Sequence, residues 1–225
     1  MKRSLGICIA AGLLALPAYG FAEQDGKGAY ISYHLTVSIP DKVNVTGQSA
    51  VGAGTTADRL TLDSSAGSTI AGGYDFGLLR LEGEMGFRRS KVKSVSRSGS
   101  GQYDTDGNLN VFSTMANGYL DLHNNSSFTP YLVGGVGFAV LGLENIYGTN
   151  TSTGTVSKMY HSNEDAVFAY QAGVGLDYTI NRHFSVDVGY RYFGTGKGSL
   201  DKDYPKATGL KYTSHDIVAG VKYTF

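Results

Sequence analysis

Arg80, Glu82, Glu84 and Arg88 occupy alternate positions of one short segment, while Leu79, Leu81, Met85 and Phe87 hold the positions between. Opposite charges repeated at a spacing of two project from one face of a strand, where the chemistry open to them is ion pairing. Asp177, Asp187, Arg191, Asp216 and Lys222 recur in the same way on later alternating segments. Taken together, these nine residues are expected to line a shared polar interior. Two roles stay open for them. One is a static plug, because unpaired buried charge is costly. The other is a narrow ion path gated by rearranging pairs.

Other residue types invite other chemistry. Arg88, Arg89, Lys91, Lys93 and Arg97 fall within ten residues, and no acid occurs from Met85 to Tyr103. Such a run is suited to anionic groups, the phosphates of lipopolysaccharide or a sulfated host glycan, or is merely a solvated rim. Asp104-Thr105-Asp106-Gly107-Asn108 echoes the start of a calcium loop but lacks the later ligands and the closing glutamate, so a tight turn is expected there. Gly52-Ala53-Gly54 lacks the strand and helix context of a nucleotide loop. No catalytic residue, cofactor site or metal site is expected.

These side chains need strands to position them. The closing stretch, Tyr212–Phe225, sets His215, Ile217, Ala219, Val221, Tyr223 and Phe225 against Ser214, Asp216, Val218, Gly220, Lys222 and Thr224. A two-residue period with one greasy face and a terminal pair of aromatics fits a strand whose outer side meets lipid and its interface. The same period predicts strands over Gly28–Val37, Ser68–Phe76, Leu78–Arg89, Leu109–His123, Phe128–Leu143, Ala166–Ile180 and Phe184–Phe193. Phe128–Leu143 is apolar on both sides, and its faces stay unassigned. Connections alternate long and short: Ser38–Ser64, Ser90–Gly107, Glu144–Glu164 and Gly194–Lys211 are long, and the other three are tight. That rhythm predicts an all-β fold, an eight-stranded antiparallel up-and-down transmembrane barrel with short periplasmic turns and four long extracellular loops.

Composition bounds the rest. Met1–Ala22 reads as a secretory signal: Lys2 and Arg3 lead, Leu5–Leu16 is apolar, and small residues precede Glu23. The apolar run is too short for a spanning helix, so residues 23–225 are expected to enter the membrane as one barrel domain. Cys8, the one cysteine, lies in the segment to be removed, which excludes disulfide chemistry. Without Lys2 and Arg3, 17 basic residues face 19 acidic ones, a balance that argues against a nucleic-acid partner.

Three stretches carry a family resemblance: FTPYLVGGVGFA (Phe128–Ala139), FAYQAGVGLDYTINRHFSVDVGYRYFGTG (Phe168–Gly196) and HDIVAGVKYTF (His215–Phe225). They resemble the opacity-protein and OmpA-type eight-stranded barrels and the related bacterial surface antigens. The resemblance implies a bacterial outer-membrane location and a terminal assembly signal at Gly220, Tyr223 and Phe225, read by the barrel-insertion machinery. Val218 stands where that signal usually has a polar residue. Some barrel enzymes of this size use a surface Ser/His pair on lipid A. His34, His161 and His215 are expected near the extracellular end, but no nucleophile motif accompanies them, and His123 and His183 sit at turns. The expected function is non-enzymatic: envelope structure, or surface contact and adhesion through the extracellular loops. The alternative is a narrow porin-like channel. Expected partners are outer-membrane lipid including lipopolysaccharide, the insertion machinery and a host surface or matrix ligand.

Overall fold

The structure is a computed structural model. It describes residues 27–48, 55–97, 101–124, 126–144, 146–151, 154–160, 163–199 and 209–225. The expected signal segment, Gly52-Ala53-Gly54 and His161 lie outside them.

The strands in order are β1 (Gly28–Pro40), β2 (Val43–Gln48), β3 (Thr55–Leu62), β4 (Ser65–Asp75), β5 (Leu79–Arg97), β6 (Gly101–Asp106) and β7 (Asn108–Asp121). There follow β8 (Phe128–Leu143), β9 (Ile146–Asn150), β10 (Val156–Tyr160), β11 (Asn163–Thr179), β12 (Phe184–Ser199) and β13 (Gly209–Thr224). Eight of them close a circuit: β1, β4, β5, β7, β8, β11, β12, β13 and back to β1, each pair antiparallel. The closing strand meets the first from Tyr30 opposite Thr224 to Pro40 opposite Ser214. Closure gives these strands a backbone partner on both sides, which hydrocarbon demands.

Alternation sets the two faces. Along β1, Ile31, Tyr33, Leu35, Val37 and Ile39 are exposed, whereas Tyr30, Ser32, His34, Thr36 and Ser38 are buried. The exposed row covers roughly 20 Å of height at the usual rise and tilt, close to the apolar band of an outer-membrane barrel. Phe87, Phe138, Phe168, Tyr190 and Ile217 continue that belt, and Phe76, Phe128, Tyr178, Phe184 and Phe225 mark its other edge. At that edge the turns are tight. Between β4 and β5, Gly77 takes φ +100° and donates its N–H to Asp75 Oδ1 at 2.7 Å, a positive angle that favours glycine.

β8 has two apolar faces. Tyr131, Val133, Ala139 and Leu141 point inward, while Leu132, Val136 and Phe138 point to lipid. Both sets are apolar, which is why the alternation was silent there.

The long connections differ from the expected polar loops, because most of their described residues continue the sheet. β2 and β3 form a hairpin that joins β13 on one side and β5 on the other. β6 pairs with β5 and with β9, and β9 pairs with β10. Asp104, Thr105 and Asp106 lie in β6, with Gly107 ending it, so the expected turn is a strand. The inward face changes character at this level. Val43, Leu60, Leu62, Val92, Val95, Leu109, Val111, Leu141, Phe193 and Leu210 form one buried apolar cluster. The barrel is therefore greasy outside and polar inside across the membrane, and apolar inside above it.

Candidate functional site

All nine expected lumen charges are directed into the barrel, at or near complete burial. β5 supplies Arg80, Glu82, Glu84 and Arg88 from its inward register, and the strands opposite supply their partners. Arg191 Nη1 lies 2.5 Å from Glu84 Oε2, and its Nη2 donates to Tyr119 Oη at 3.0 Å. Arg88 meets Asp216 Oδ2 at 2.9 Å and sits 4.3 Å above the Phe193 ring. Lys222 Nζ is 2.9 Å from Asp177 Oδ2.

Two of the expected charges have partners the alternation did not single out. Arg80 pairs with Asp121, Nε to Oδ2 at 2.6 Å, and its guanidinium lies 4.3 Å over the Tyr119 ring. Asp187 binds His34 Nε2 at 2.9 Å and accepts from Tyr131 Oη at 3.0 Å. His34 is thus a mid-lumen residue, not one at the extracellular end. It occupies the seventh position of a 13-residue strand, on the inward face.

Glu82 is held differently. It accepts from Tyr30 Oη at 3.0 Å, Tyr119 Oη at 2.9 Å, Asn117 Nδ2 at 3.1 Å and, at the limit of a hydrogen bond, Ser32 Oγ. Neutral donors thus fill its acceptor sites. Gln171 donates to Asn117 Oδ1 at 2.8 Å, and Asn117 in turn reaches both Glu82 and Glu84. Asn117, Tyr119 and Asp121 alternate along β7, and that period was the signal by which they could have been found.

Glycines make room for these side chains. A Cβ on Gly220 would lie 2.2 Å from the His34 ring; one on Gly73 would meet the Tyr30 ring at 2.8 Å. Gly175 faces Tyr131, Gly135 faces Asn117, and Gly173 faces Arg191 in the same manner. In each case the glycine is the in-register partner on the next strand. The high glycine content of the chain thus serves a narrow interior that must hold large polar groups. One void of about 10 Å³ remains beside Tyr30, His34, Glu82, Tyr131 and Asp187, about the room one water needs. Among the described residues, seven inward carboxylates (Asp75, Asp121 and the five already expected) face four permanent cations.

The basic run divides. Arg88 is interior and is no contact for an external anion. Arg89, Lys91 and Lys93 alternate on the outer face, directly beyond lipid-facing Phe87. Arg89 is 3.3 Å from Glu144, and Lys93 is 3.5 Å from Asp63, both in solvent. Asn108 and Asn110 donate to Glu144 at 2.7 and 3.1 Å and, with Arg89, hold its carboxyl below the usual glutamate range. The Arg97 side chain lies outside the described set.

On the outer wall, His215 accepts or donates at 2.6 Å with Tyr190 Oη and stands 3.7 Å from Asp41. Its exposed place above Ile217 matches the expected end of the barrel. Of the terminal signal, Gly220 faces inward under His34, while Tyr223 and Phe225 face outward and pack at 5.3 Å. His183 lies in the turn against Tyr223, and His123 follows β7.

Comparison with known proteins matches residues 8–225 to the outer membrane protein beta-barrel domain. The chain belongs to that family. It is 28% identical to outer membrane protein PagN of Salmonella typhimurium over 255 residues, covering all of both chains. It is 23% identical to a Rickettsia bellii protein bearing the name "Putative adhesin", covering 99% of each. Among solved structures, OprG of Pseudomonas aeruginosa superposes with a TM-score of 0.54 at 16% identity, over 88% of this chain and 96% of that one. Neisserial surface protein A gives 0.51 at 17% identity, over 88% and 97%. The protein is an eight-stranded barrel of the bacterial outer membrane, of the opacity and OmpA type.

Proposed function

We propose that this barrel is a non-enzymatic surface protein that works by contact, as an adhesin, through the sheet it raises above the membrane. One observation carries the reading: the interior is filled in two layers, ion pairs across the membrane and an apolar cluster above them. A filled barrel leaves its outer surface for function, and the long hairpins are built as paired strands suited to present side chains rigidly. The name of the Rickettsia bellii relative supports the same reading.

Arg89, Lys91 and Lys93 point sideways from the wall just beyond the lipid belt. That orientation favours the phosphates of surrounding lipopolysaccharide as their partners, since such groups sit at this height. A host ligand would meet the hairpin tips instead. Export through a cleaved Met1–Ala22 signal, and insertion guided by Gly220, Tyr223 and Phe225, belong to the same proposal.

The test displays the protein on a non-adherent bacterium and counts cells bound to cultured host cells. Shortening the β5–β6 and β9–β10 hairpins should abolish the gain in binding while heat-modifiable migration on gels stays intact. Undiminished binding by the shortened, folded barrel would overturn the adhesin reading.

A further inference from the structure

The outer wall where β12 meets β13 carries a graded series of side chains. Moving away from the membrane, its in-register pairs are Tyr190 opposite Ile217, Tyr192 opposite His215, Gly194 opposite Thr213, and Lys197 opposite Lys211. A bulge between Gly194 and Lys197 sets the last pair. Simple alternation would put Gly196 opposite Lys211. The extra residue brings Lys197 there instead, the kind of re-aiming that bulges perform. Leu210 and Tyr212 are fully buried, so Lys211 between them points outward, and both lysines are exposed. Like charges directly opposite on one face stand about 5 Å apart and repel. Among the described residues no carboxylate pairs with either lysine. Asp41 turns to Thr213 Oγ1 at 2.8 Å and to His215, and Asp165 lies toward the inner side of Gly198. On the β5 wall, by contrast, Arg89 and Lys93 each have an acid in reach.

We propose that this wall binds a phosphorylated glycolipid of the outer leaflet, its phosphate held between Lys197 and Lys211. The side chains follow the amphiphile's own order. Ile217 and Tyr190 are exposed in the lipid belt and meet its acyl chains. One pair higher, Tyr192 and His215 pack edge to face at 5.4 Å. Tyr170 stands 6.4 Å from Tyr192 and lays its ring over Gly194, extending the aromatic surface. Aromatic faces at the membrane boundary suit a sugar ring, and Thr213 and Asp41 beside them offer oxygens to its hydroxyls. The two lysines end the series, and one bridging phosphate turns their repulsion into attraction. Lys42, exposed just after Asp41, adds positive charge at the same end. A soluble sulfated glycan would match the lysines but not the aromatic and apolar pairs beneath them. The site rests on the barrel's place in the outer membrane, not on its role in adhesion, and it is separate from the contact proposed on the β5 wall.

The experiment titrates the mature chain, folded in detergent, with lipopolysaccharide lacking its O-chain, native or dephosphorylated. A Lys91→Gln background removes the unpaired charge of the β5 wall, so the outcome there does not bear on this site. The double variant Lys197→Gln, Lys211→Gln should keep heat-modifiable migration on gels and bind the native lipid roughly tenfold or more weakly. Lys197→Arg with Lys211→Arg should bind as the parent does. In detergent alone, Lys211→Gln should raise the thermal midpoint, because it relieves the repulsion; with the lipid present it should lower the midpoint. Undiminished affinity in the double glutamine variant would overturn the proposal. So would equal affinity for the dephosphorylated lipid, or a heparin fragment that binds more tightly than the lipid, which would make the site one for soluble polyanions.

Discussion

The interior is organised residue by residue as a set of complements, large polar side chain against glycine and cation against anion. Two glycines show how much depends on the face. Gly220 lies under His34, and a Cβ there would also approach the Tyr33 carbonyl oxygen to 2.8 Å. Gly134 faces lipid with nothing within 4 Å of its added Cβ. Gly220→Ala should therefore cost about 1–3 kcal/mol by overpacking, and Gly134→Ala should change stability by about 0.5 kcal/mol or less. Urea unfolding in lipid vesicles, followed by far-UV dichroism, measures both; equal effects would contradict the facing assigned here. The ion pairs make a second demand. Arg191→Leu strands Glu84 in a fully buried site and should cost about 3–5 kcal/mol. Adding Glu84→Gln should recover much of the loss, and a double-mutant cycle in the same assay reads the coupling. Strict additivity would mean that the two side chains do not act as a pair.

The elements join membrane barrel to extracellular sheet at points that can be weakened singly. Glu144 is one, receiving Asn108, Asn110 and Arg89 at the end of β8. Hydrogen bonds from the two asparagines, then the charge of Arg89, depress its pKa. The tie is therefore fully present above the unfolded glutamate value of about 4.3. It is lost as pH falls through the lower folded value, because the unfolded chain takes up the proton first. Hydrogen exchange in β9 should accelerate below about pH 4 relative to β1, and Glu144→Gln should remove that pH dependence. A flat profile in the parent chain would show that the asparagines and Arg89 do not anchor β9. The β2–β3 hairpin offers a simpler junction. It joins β13 at Thr46 and Val45 and β5 at Asp58 to Leu62, so deleting it should expose the apolar cluster and raise binding of a hydrophobic dye while the membrane strands stay protected.

For the whole molecule, the two filled layers predict electrical silence. Mature barrels folded into a planar bilayer should give no steady current, and Arg80→Ala alone should open none, because Leu60, Val92 and Leu210 still close the outer end. A defined conductance in the parent protein, altered by Arg80→Ala, would restore the channel reading. Much of this architecture was legible from the chain by itself. A two-residue period and the alternation of long and short connections dictate an eight-stranded barrel, since one face must meet lipid and closure must satisfy the backbone. The same period located all nine charges, because a strand offers only two directions. Pairing was decided elsewhere. Arg80 meets Asp121 across 41 residues, and Arg191 meets Glu84 across 107, distances over which residue spacing says nothing about register. The long connections read locally as loops because Ser, Thr and Gly signal turns, whereas the pairing partners of their described residues lie on neighbouring hairpins. His34 shows the same limit: the chain fixed its face, and only the closed barrel, bringing β12 across from β1, gave it Asp187.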